Sequence, residues 1–286
     1  MLDTIISLLS EYNIDLYGCL PLSSCRITRG YLLDRVGIAE GSAVIFAIPY
    51  YTEECDGRRN LSAYAVPRDY HLFVREMTDD LQKRLTSAFP SNRFAFFADH
   101  SPIDERDAAV RAGLGIIGKN GLLITKKYSS YVFLGEIVTD AVLPSREFPP
   151  ATCHNCGACL TACPWKRGES DICLSALSQK KGDLSGAEQE LLAHYGSVWG
   201  CDICQKVCPY TKQAREAGTL YTEIPFFKQE SLPFVTVSLI DAMDEKDFAS
   251  RAYSWRGRET IVRNLTIAEE SYDPERGDPI PKKATE

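Results

Sequence analysis

Apolar positions recur at helical spacing in some stretches of the chain and run together in others, which separates helices from strands. Residues 1–12 place Ile5, Leu8 and Leu9 on one face, after a possible cap at Asp3 or Thr4. Residues 69–85 repeat that pattern over a longer span, with Leu72, Phe73, Met77, Leu81 and Leu85 as the apolar stripe. Between them SAVIFAIPYY, residues 42–51, reads as a buried strand stopped by Pro49. RFAFFAD, residues 93–99, predicts a second short strand with an acid at its C-terminal end. A helix over 104–112, a glycine-rich turn, and strands at 121–125 and 131–139 follow. Interleaved helices and strands over 1–143 indicate an α/β or α+β domain. PSREFPPAT, residues 144–152, reads as a proline-rich linker. Near the end RAYSWRGRETIVRN forms a basic turn entering a helix that carries Ile261, Val262 and Leu265, and residues 270–286 read as a disordered polar end.

Composition narrows the class. With 286 residues, 44% of them hydrophobic, the chain has material for a main domain and a smaller one. No apolar run approaches the roughly 20 residues that cross a bilayer. Residues 1–25 lack the basic and apolar regions of an export signal, so a cytoplasmic location is expected. The net charge of −7 argues against a broad basic surface for nucleic acid but leaves room for a local patch.

The cysteines change the picture most. Eight of the eleven form one ordered series: Cys153, Cys156, Cys159, Cys163-Pro164, Cys173, Cys201, Cys204 and Cys208-Pro209. CHNCGACLTACP has the spacing that wraps a cubane iron–sulfur cluster, three thiolates in one loop and a fourth carried off to a second cluster. On that rule Cys208 returns to join Cys153, Cys156 and Cys159, while Cys163, Cys173, Cys201 and Cys204 hold the second cluster. Disulfides would need an oxidising compartment, and structural zinc favours separated Cys pairs rather than a three-cysteine run ending in Cys-Pro. The remaining Cys19, Cys25 and Cys55 are scattered and read as small core or surface residues.

Other motifs carry two readings each. Gly113-Leu114-Gly115-Ile116-Ile117-Gly118 matches a dinucleotide fingerprint, but a charged helical segment precedes it and an extended one follows, the reverse of what that fingerprint needs. A structural turn, or close approach to another cofactor, fits better, with Lys119 and Asn120 placed to meet an anionic or amide group. Asp99, beside His100, reads either as a helix cap or as a general acid whose apolar surroundings keep its proton on. In AYAVPRDYH, residues 63–71, Tyr64, Arg68 and His71 are satisfied structural residues or a pocket wall.

Together FADHSPIDERDAAVRAGLGIIGKN, AYAVPRDYH, YVFLGEIVTD, the first cysteine run, GCDICQKVCP and RGRETIVRNL resemble the epoxyqueuosine reductase family, itself related to corrinoid reductive dehalogenases. The resemblance covers roughly residues 1–265 in order. It implies an α+β fold: an N-terminal α/β cobalamin-binding domain, nitroreductase-like, over 1–147; a ferredoxin-like double 4Fe–4S domain over 148–215; and a C-terminal tail over 216–286. It implies reduction of the epoxide of epoxyqueuosine in tRNA to the alkene of queuosine, with cobalamin and two 4Fe–4S clusters. By position, Asp99 matches the family's proton donor, Arg106 an arginine lining the active site, and Gly113, Gly115, Gly118, Lys119 and Asn120 the loop near the corrinoid. Asp69-Tyr70-His71 is followed by Val74, so D-x-H-x-x-G is absent, and the implied cobalamin is base-off without a histidine ligand.

The partners so implied are a tRNA and an external low-potential electron donor, for a protein expected to be monomeric. Lys166, Arg167, Arg251, Arg256, Arg258 and Arg263 are the candidate phosphate contacts, or else a solvated charged face. Two departures bear on substrate. Trp165-Lys166-Arg167-Gly168 runs directly to Cys173 where the family has a longer spacer, and the chain lacks the helical-repeat extension of some members after Asn264. The competing readings are a paralogous corrinoid reductase of a small molecule and a non-catalytic, ferredoxin-like electron carrier.

Overall fold

The computed structural model describes residues 1–270 and the dipeptides 272–273 and 278–279. Most of the polar end expected over 270–286 lies outside the described residues. The chain divides into two compact units: Met1–Tyr51, His71–Gly157 and Cys208–Pro225 make the first, and Thr52–Tyr70, Ala158–Val207 and Phe226–Glu286 the second. Neither is a continuous stretch, so the division differs from the three consecutive segments expected.

The first unit is built on a four-stranded sheet of β1 (Leu16–Pro21), β2 (Ser42–Pro49), β3 (Phe94–Phe97) and β6 (Val132–Thr139), in the order β1-β2-β6-β3. A separate hairpin joins β4 (Ile116–Ile117) to β5 (Leu123–Ile124). Every residue of β2 is buried, as its unbroken apolar run requires of a central strand covered on both faces. Each neighbouring pair of the large sheet runs antiparallel. The unit is therefore α+β, and α/β does not describe it. Helices interleaved with strands suggested parallel crossovers, but β6 inserts between β2 and β3 and reverses the direction at each step.

The helices follow the apolar stripes. α1 (Leu2–Glu11) buries Ile5, Leu8 and Leu9, although it starts at Leu2 and uses neither Asp3 nor Thr4 as its cap. α2 spans Tyr31–Val36, and α3 spans Tyr70–Ala88 with Met77, Leu81 and Leu85 fully buried. The short α4 (Glu105–Arg111) lies against β1, β2 and β6 through Ala108, Ala109 and Val110. Cys19, Cys25 and Cys55 are all buried. Burial pushes the thiol of Cys19 up to about 11 and that of Cys25 to about 12, so both stay protonated at neutral pH.

The second unit is helical, with α5 (Ala158–Ala162), α6 (Leu174–Ser178), α7 (Gly186–Tyr195) and α8 (Ile203–Lys206) followed by several short helices and the helix Arg258–Glu270. Leu174, Leu177, Leu184 and Leu192 form its apolar centre beside the cysteine segments. A full capping box starts α7, in which Ser185 and Glu188 exchange hydrogen bonds. Among the described residues no helix is long and apolar enough to cross a membrane.

Candidate functional site

In the first unit Asp99 leaves β3 with a left-handed backbone, φ 61°, a conformation that Asp and Asn accept more readily than most residues. Its Oδ2 lies 3.4 Å from Nε2 of His71 in the first turn of α3, which brings together two residues 28 positions apart that sequence could not connect. Capping is not the role of Asp99: Asp104 caps α4, accepting the Asp107 N–H at 3.1 Å. Nor is its carboxyl enclosed by apolar side chains, since the side chain is 67% exposed.

The burial expected around Asp99 falls instead on two carboxyls behind it. Glu105 accepts the Asp99 N–H at 3.1 Å. Burial, and then the negative charge of Asp99, push its carboxyl up to about 7. Glu136, fully buried on β6, accepts from the Ser101 hydroxyl, and burial pushes its carboxyl well above the ordinary range. Neither was singled out by sequence reasoning. The signal was there for Glu136, a lone charge inside the apolar run YVFLGEIVTD.

Arg106 is exposed and donates to the Gly121 carbonyl at 2.9 Å, tying α4 to the glycine-rich turn. That turn runs from Gly113 through β4 to Asn120, which accepts the Leu122 N–H. Strand, turn and strand succeed one another here, so the dinucleotide context is absent. Gly113, at φ 84°, has no room for a side chain, because a Cβ would lie 2.6 Å from the Phe148 ring. β4 then meets the first cysteine. Ile117 donates to the Ala151 carbonyl at 3.0 Å and accepts from the Cys153 N–H at 3.0 Å.

Cys153, Cys156 and Cys208 belong to the first unit, and Cys159 to the second. Within the first, Nδ1 of His154 lies 3.1 Å from the hydroxyl of Tyr210, which clasps the Cys153 segment to the segment after Cys208-Pro209. Cys208 is the residue before the helix Pro209–Glu216, where proline at the first position needs no hydrogen-bond partner.

Cys163, Cys173, Cys201 and Cys204 all belong to the second unit. α5, which leads to Cys163, packs on α8, which carries Cys204. The segment between Cys201 and Cys204 is held by Asp202, which is buried and accepts from Arg59, from the Ser62 hydroxyl and from the Ala63 N–H at 2.8 Å. The Gly200 N–H donates to the Ser178 hydroxyl at 2.9 Å. Its own Cβ would lie 2.5 Å from that of Ser62. From the helix Arg258–Glu270, buried Asn264 donates to the carbonyls of Ser178 at 2.6 Å and Val198 at 2.8 Å. Arg59, Asp202 and Asn264 thus shape the cysteine loop through hydrogen bonds to its backbone and neighbours, which their sequence positions did not reveal.

All eleven cysteines are free of disulfides. Among the described residues no three His, Cys, Asp or Glu side chains converge as a single metal ion requires, whereas a cubane spreads its thiolates over four irons.

Tyr64 and Arg68 lie in the second unit. Burial raises the Tyr64 hydroxyl, and Arg68 stacks over Phe226 at 4.7 Å. Of the basic residues, Arg251 is buried and donates to the Glu230 carbonyl at 2.7 Å. Arg258 donates to the carbonyls of Ile240 and Met243, and Arg263 to that of Gly182. Arg167 pairs with Glu169. Lys166 and Arg256 instead stack on exposed tryptophans, at 3.5 Å over Trp165 and 3.8 Å over Trp255.

Residues 152–211 match the family described as a 4Fe-4S double cluster binding domain. An epoxyqueuosine reductase of Gloeobacter violaceus is 33% identical over 217 residues, 72% of this chain and 67% of the relative. One of Listeria monocytogenes is 34% identical over 70% of this chain and 54% of the relative. The chain thus spans about half to two thirds of the curated relatives it matches. The solved epoxyqueuosine reductase of Streptococcus thermophilus has the same fold, with a TM-score of 0.71 at 22% identity over 94% of this chain and 80% of that one. An epoxyqueuosine reductase solved with an epoxyqueuosine-modified tRNA stem loop scores 0.69 at 24% identity over 93% and 81%.

Proposed function

Because the chain belongs to the epoxyqueuosine reductase family, we propose that it reduces the epoxide of epoxyqueuosine in tRNA to an alkene, with two 4Fe–4S clusters and cobalamin as cofactors. The relative solved with a modified tRNA stem loop supports the choice of substrate. The observation that carries the reading is the pairing of Cys153 with Ile117. It ties the first ligand of a cluster to the glycine-rich turn assigned to the corrinoid, so both ends of an electron path are set by one stretch of backbone.

The residues present fit those groups. Free thiols at cubane spacing, split between two cysteine-proline turns, suit two clusters. We assign Cys153, Cys156, Cys159 and Cys208 to the first, a grouping supported by the His154–Tyr210 clasp, and Cys163, Cys173, Cys201 and Cys204 to the second. The turn at Gly113, Gly115 and Gly118, whose Cβ positions are filled by Phe148, Ile124 and Asn120 so that only glycine fits, is the segment we assign to cobalamin, held base-off, with Lys119 and Asn120 at its tip. When bound, cobalamin supplies the low-potential chemistry that opens the C–O bond. In finer terms, the first unit is the nitroreductase-like cobalamin domain and the cysteine segments a ferredoxin-like domain.

The chain itself supplies protons and position. Loss of the epoxide oxygen as water takes two electrons and two protons, and Asp99 delivers a proton to the departing oxygen. His71 stands beside Asp99 to share or replace it, and Arg106 holds α4 to the glycine-rich turn. Lys166 and Arg256, each stacked on an exposed tryptophan, are the basic residues best disposed toward tRNA, since cation and aromatic face together suit phosphate and base. The reading places the protein in the cytoplasm as a monomer fed by an external low-potential donor.

The test is mass spectrometry of tRNA nucleosides after anaerobic incubation of the reconstituted protein with reductant, cobalamin and epoxyqueuosine-containing tRNA. Queuosine is the expected product. Unchanged epoxyqueuosine with both clusters and corrinoid loaded would rule the substrate out.

A further inference from the structure

The stretch from Ala98 to Asp104 is fastened at both ends, by backbone at one and by side chains at the other. Toward Asp104, the Pro102 carbonyl accepts the N–H groups of Thr28 at 2.8 Å and Arg29 at 3.0 Å, and the Asp104 N–H reaches the Arg26 carbonyl at 2.9 Å. Toward Asp99, the backbone is left-handed and the side chain is exposed. Three contacts at this end reach it from other elements. Asp99 donates its N–H to Glu105, His100 meets the Tyr31 hydroxyl at 2.9 Å, and His71 lies against the Asp99 carboxyl. Ser101, fully buried, accepts the Ile103 N–H at 3.0 Å and gives its proton to Glu136.

We propose that Glu105 and Glu136 are positioning residues for Asp99, Glu105 by holding its amide from α4 and Glu136 by holding Ser101 from the sheet. The proposal rests on the reading of Asp99 as the proton donor. A buried carboxyl in the middle of β6 is costly unless it does something there. Glu136 stands opposite Ile45 on one neighbouring strand and Phe97 on the other, and its Oε2 has no hydrogen-bond partner among the described residues. Its one polar contact is to the loop that carries Asp99. Glu105 faces the same loop from the first position of α4, where its half-buried carboxyl accepts the Asp99 N–H.

The charges around these two carboxyls decide how the anchor responds to pH. Glu105 is influenced by Asp99, Arg29 and Arg106, and by Glu136 behind it, whose own titratable neighbours are Glu105 and the protonated thiol of Cys25. For Glu105 burial and repulsion from Asp99 outweigh the amide and the arginines, raising it from 4.5 to about 7. The anchored loop therefore favours neutral Glu105. The contribution is complete below about 4.5, declines as pH rises, and is lost above about 7.

Amide exchange of the 98–104 peptide, read by mass spectrometry on the anaerobically reconstituted full chain and corrected for intrinsic rates, tests this without relying on turnover. Glu105→Ala should speed exchange of the peptide about tenfold, the worth of one such hydrogen bond. Glu105→Gln, which keeps the acceptor and removes the titration, should match the wild type at pH 5 and lose the wild-type rise in exchange between pH 5 and 8. Ser101→Ala should loosen the peptide as Glu105→Ala does, while Glu136→Gln, still an acceptor for Ser101, should not. The kcat–pH profile of Glu105→Gln should flatten over the same range with KM unchanged. Protection unaltered by both alanine variants, or a Glu105→Gln protein that follows the wild-type pH dependence, overturns the proposal. Full turnover by Asp99→Asn overturns it through the reading it rests on, and is recognised because the exchange results stay as expected.

Discussion

At the scale of single residues, the helix-cap role that the sequence left open for Asp99 falls to Asp104 on α4. Asp104 caps α4, so Asp104→Ala should lower stability by about 1 kcal/mol in chemical denaturation. Asp99 is not the cap of α4, and asparagine suits its left-handed backbone. Asp99→Asn should therefore fold, load its clusters and bind corrinoid normally while turnover drops by about 10²–10⁴-fold, the usual worth of a general acid. Near-normal epoxide reduction in that variant would remove Asp99 from the chemistry.

Among the elements, the loop from Gly200 to Cys204 depends on partners distant in sequence. Arg59 and Asp202 form an ion pair whose side chains are only 4% and 1% exposed. Asp202→Ala would leave the guanidinium buried without its counter-charge, a change that costs about 3–5 kcal/mol, and would also release Ser62 and the Ala63 amide. The expected result is a chain with a lower denaturation midpoint that retains about four irons, because Cys201 and Cys204 lose their framework while the first cluster does not. Normal iron content with only a stability loss would show that the loop keeps its form without the pair. Asn264 works toward the same end from the helix Arg258–Glu270, which explains why RGRETIVRNL belongs with the cysteine motifs although it contains no ligand.

Across the whole molecule, the cofactor complement is the broadest test. Anaerobic reconstitution should yield about eight irons per chain. Serine at Cys153, Cys156, Cys159 or Cys208 should damage one cluster, and serine at Cys163, Cys173, Cys201 or Cys204 the other. Serine at Cys19, Cys25 or Cys55, all buried, should leave iron unchanged. Electron paramagnetic resonance of the bound corrinoid in its cob(II) form should show no nitrogen superhyperfine splitting. Such splitting would mean a nitrogen ligand that the sequence pattern around His71 does not provide. Zinc in place of iron after anaerobic purification would end the iron–sulfur reading.

The double-cluster segment was legible from sequence, and the family match over residues 152–211 agrees, because the C-x2-C-x2-C-x3-C-P run that announces it is a local spacing. β2 and α3 were legible for a similar reason: burial on both faces, or on one stripe, leaves a periodicity that needs no partner to be read. Sheet order was not, because β6 inserts between β2 and β3 by pairing with residues 39 to 97 positions away, and nothing local encodes that pairing. For Asp99 the chain alone left two roles open. Only the folded unit set its left-handed backbone, gave the cap to Asp104, brought His71 beside the carboxyl, and moved the buried, proton-holding environment onto Glu105 and Glu136. Burial and electrostatic coupling belong to three-dimensional neighbours, and those neighbours come from α3, α4 and β6, which meet only when the sheet is assembled.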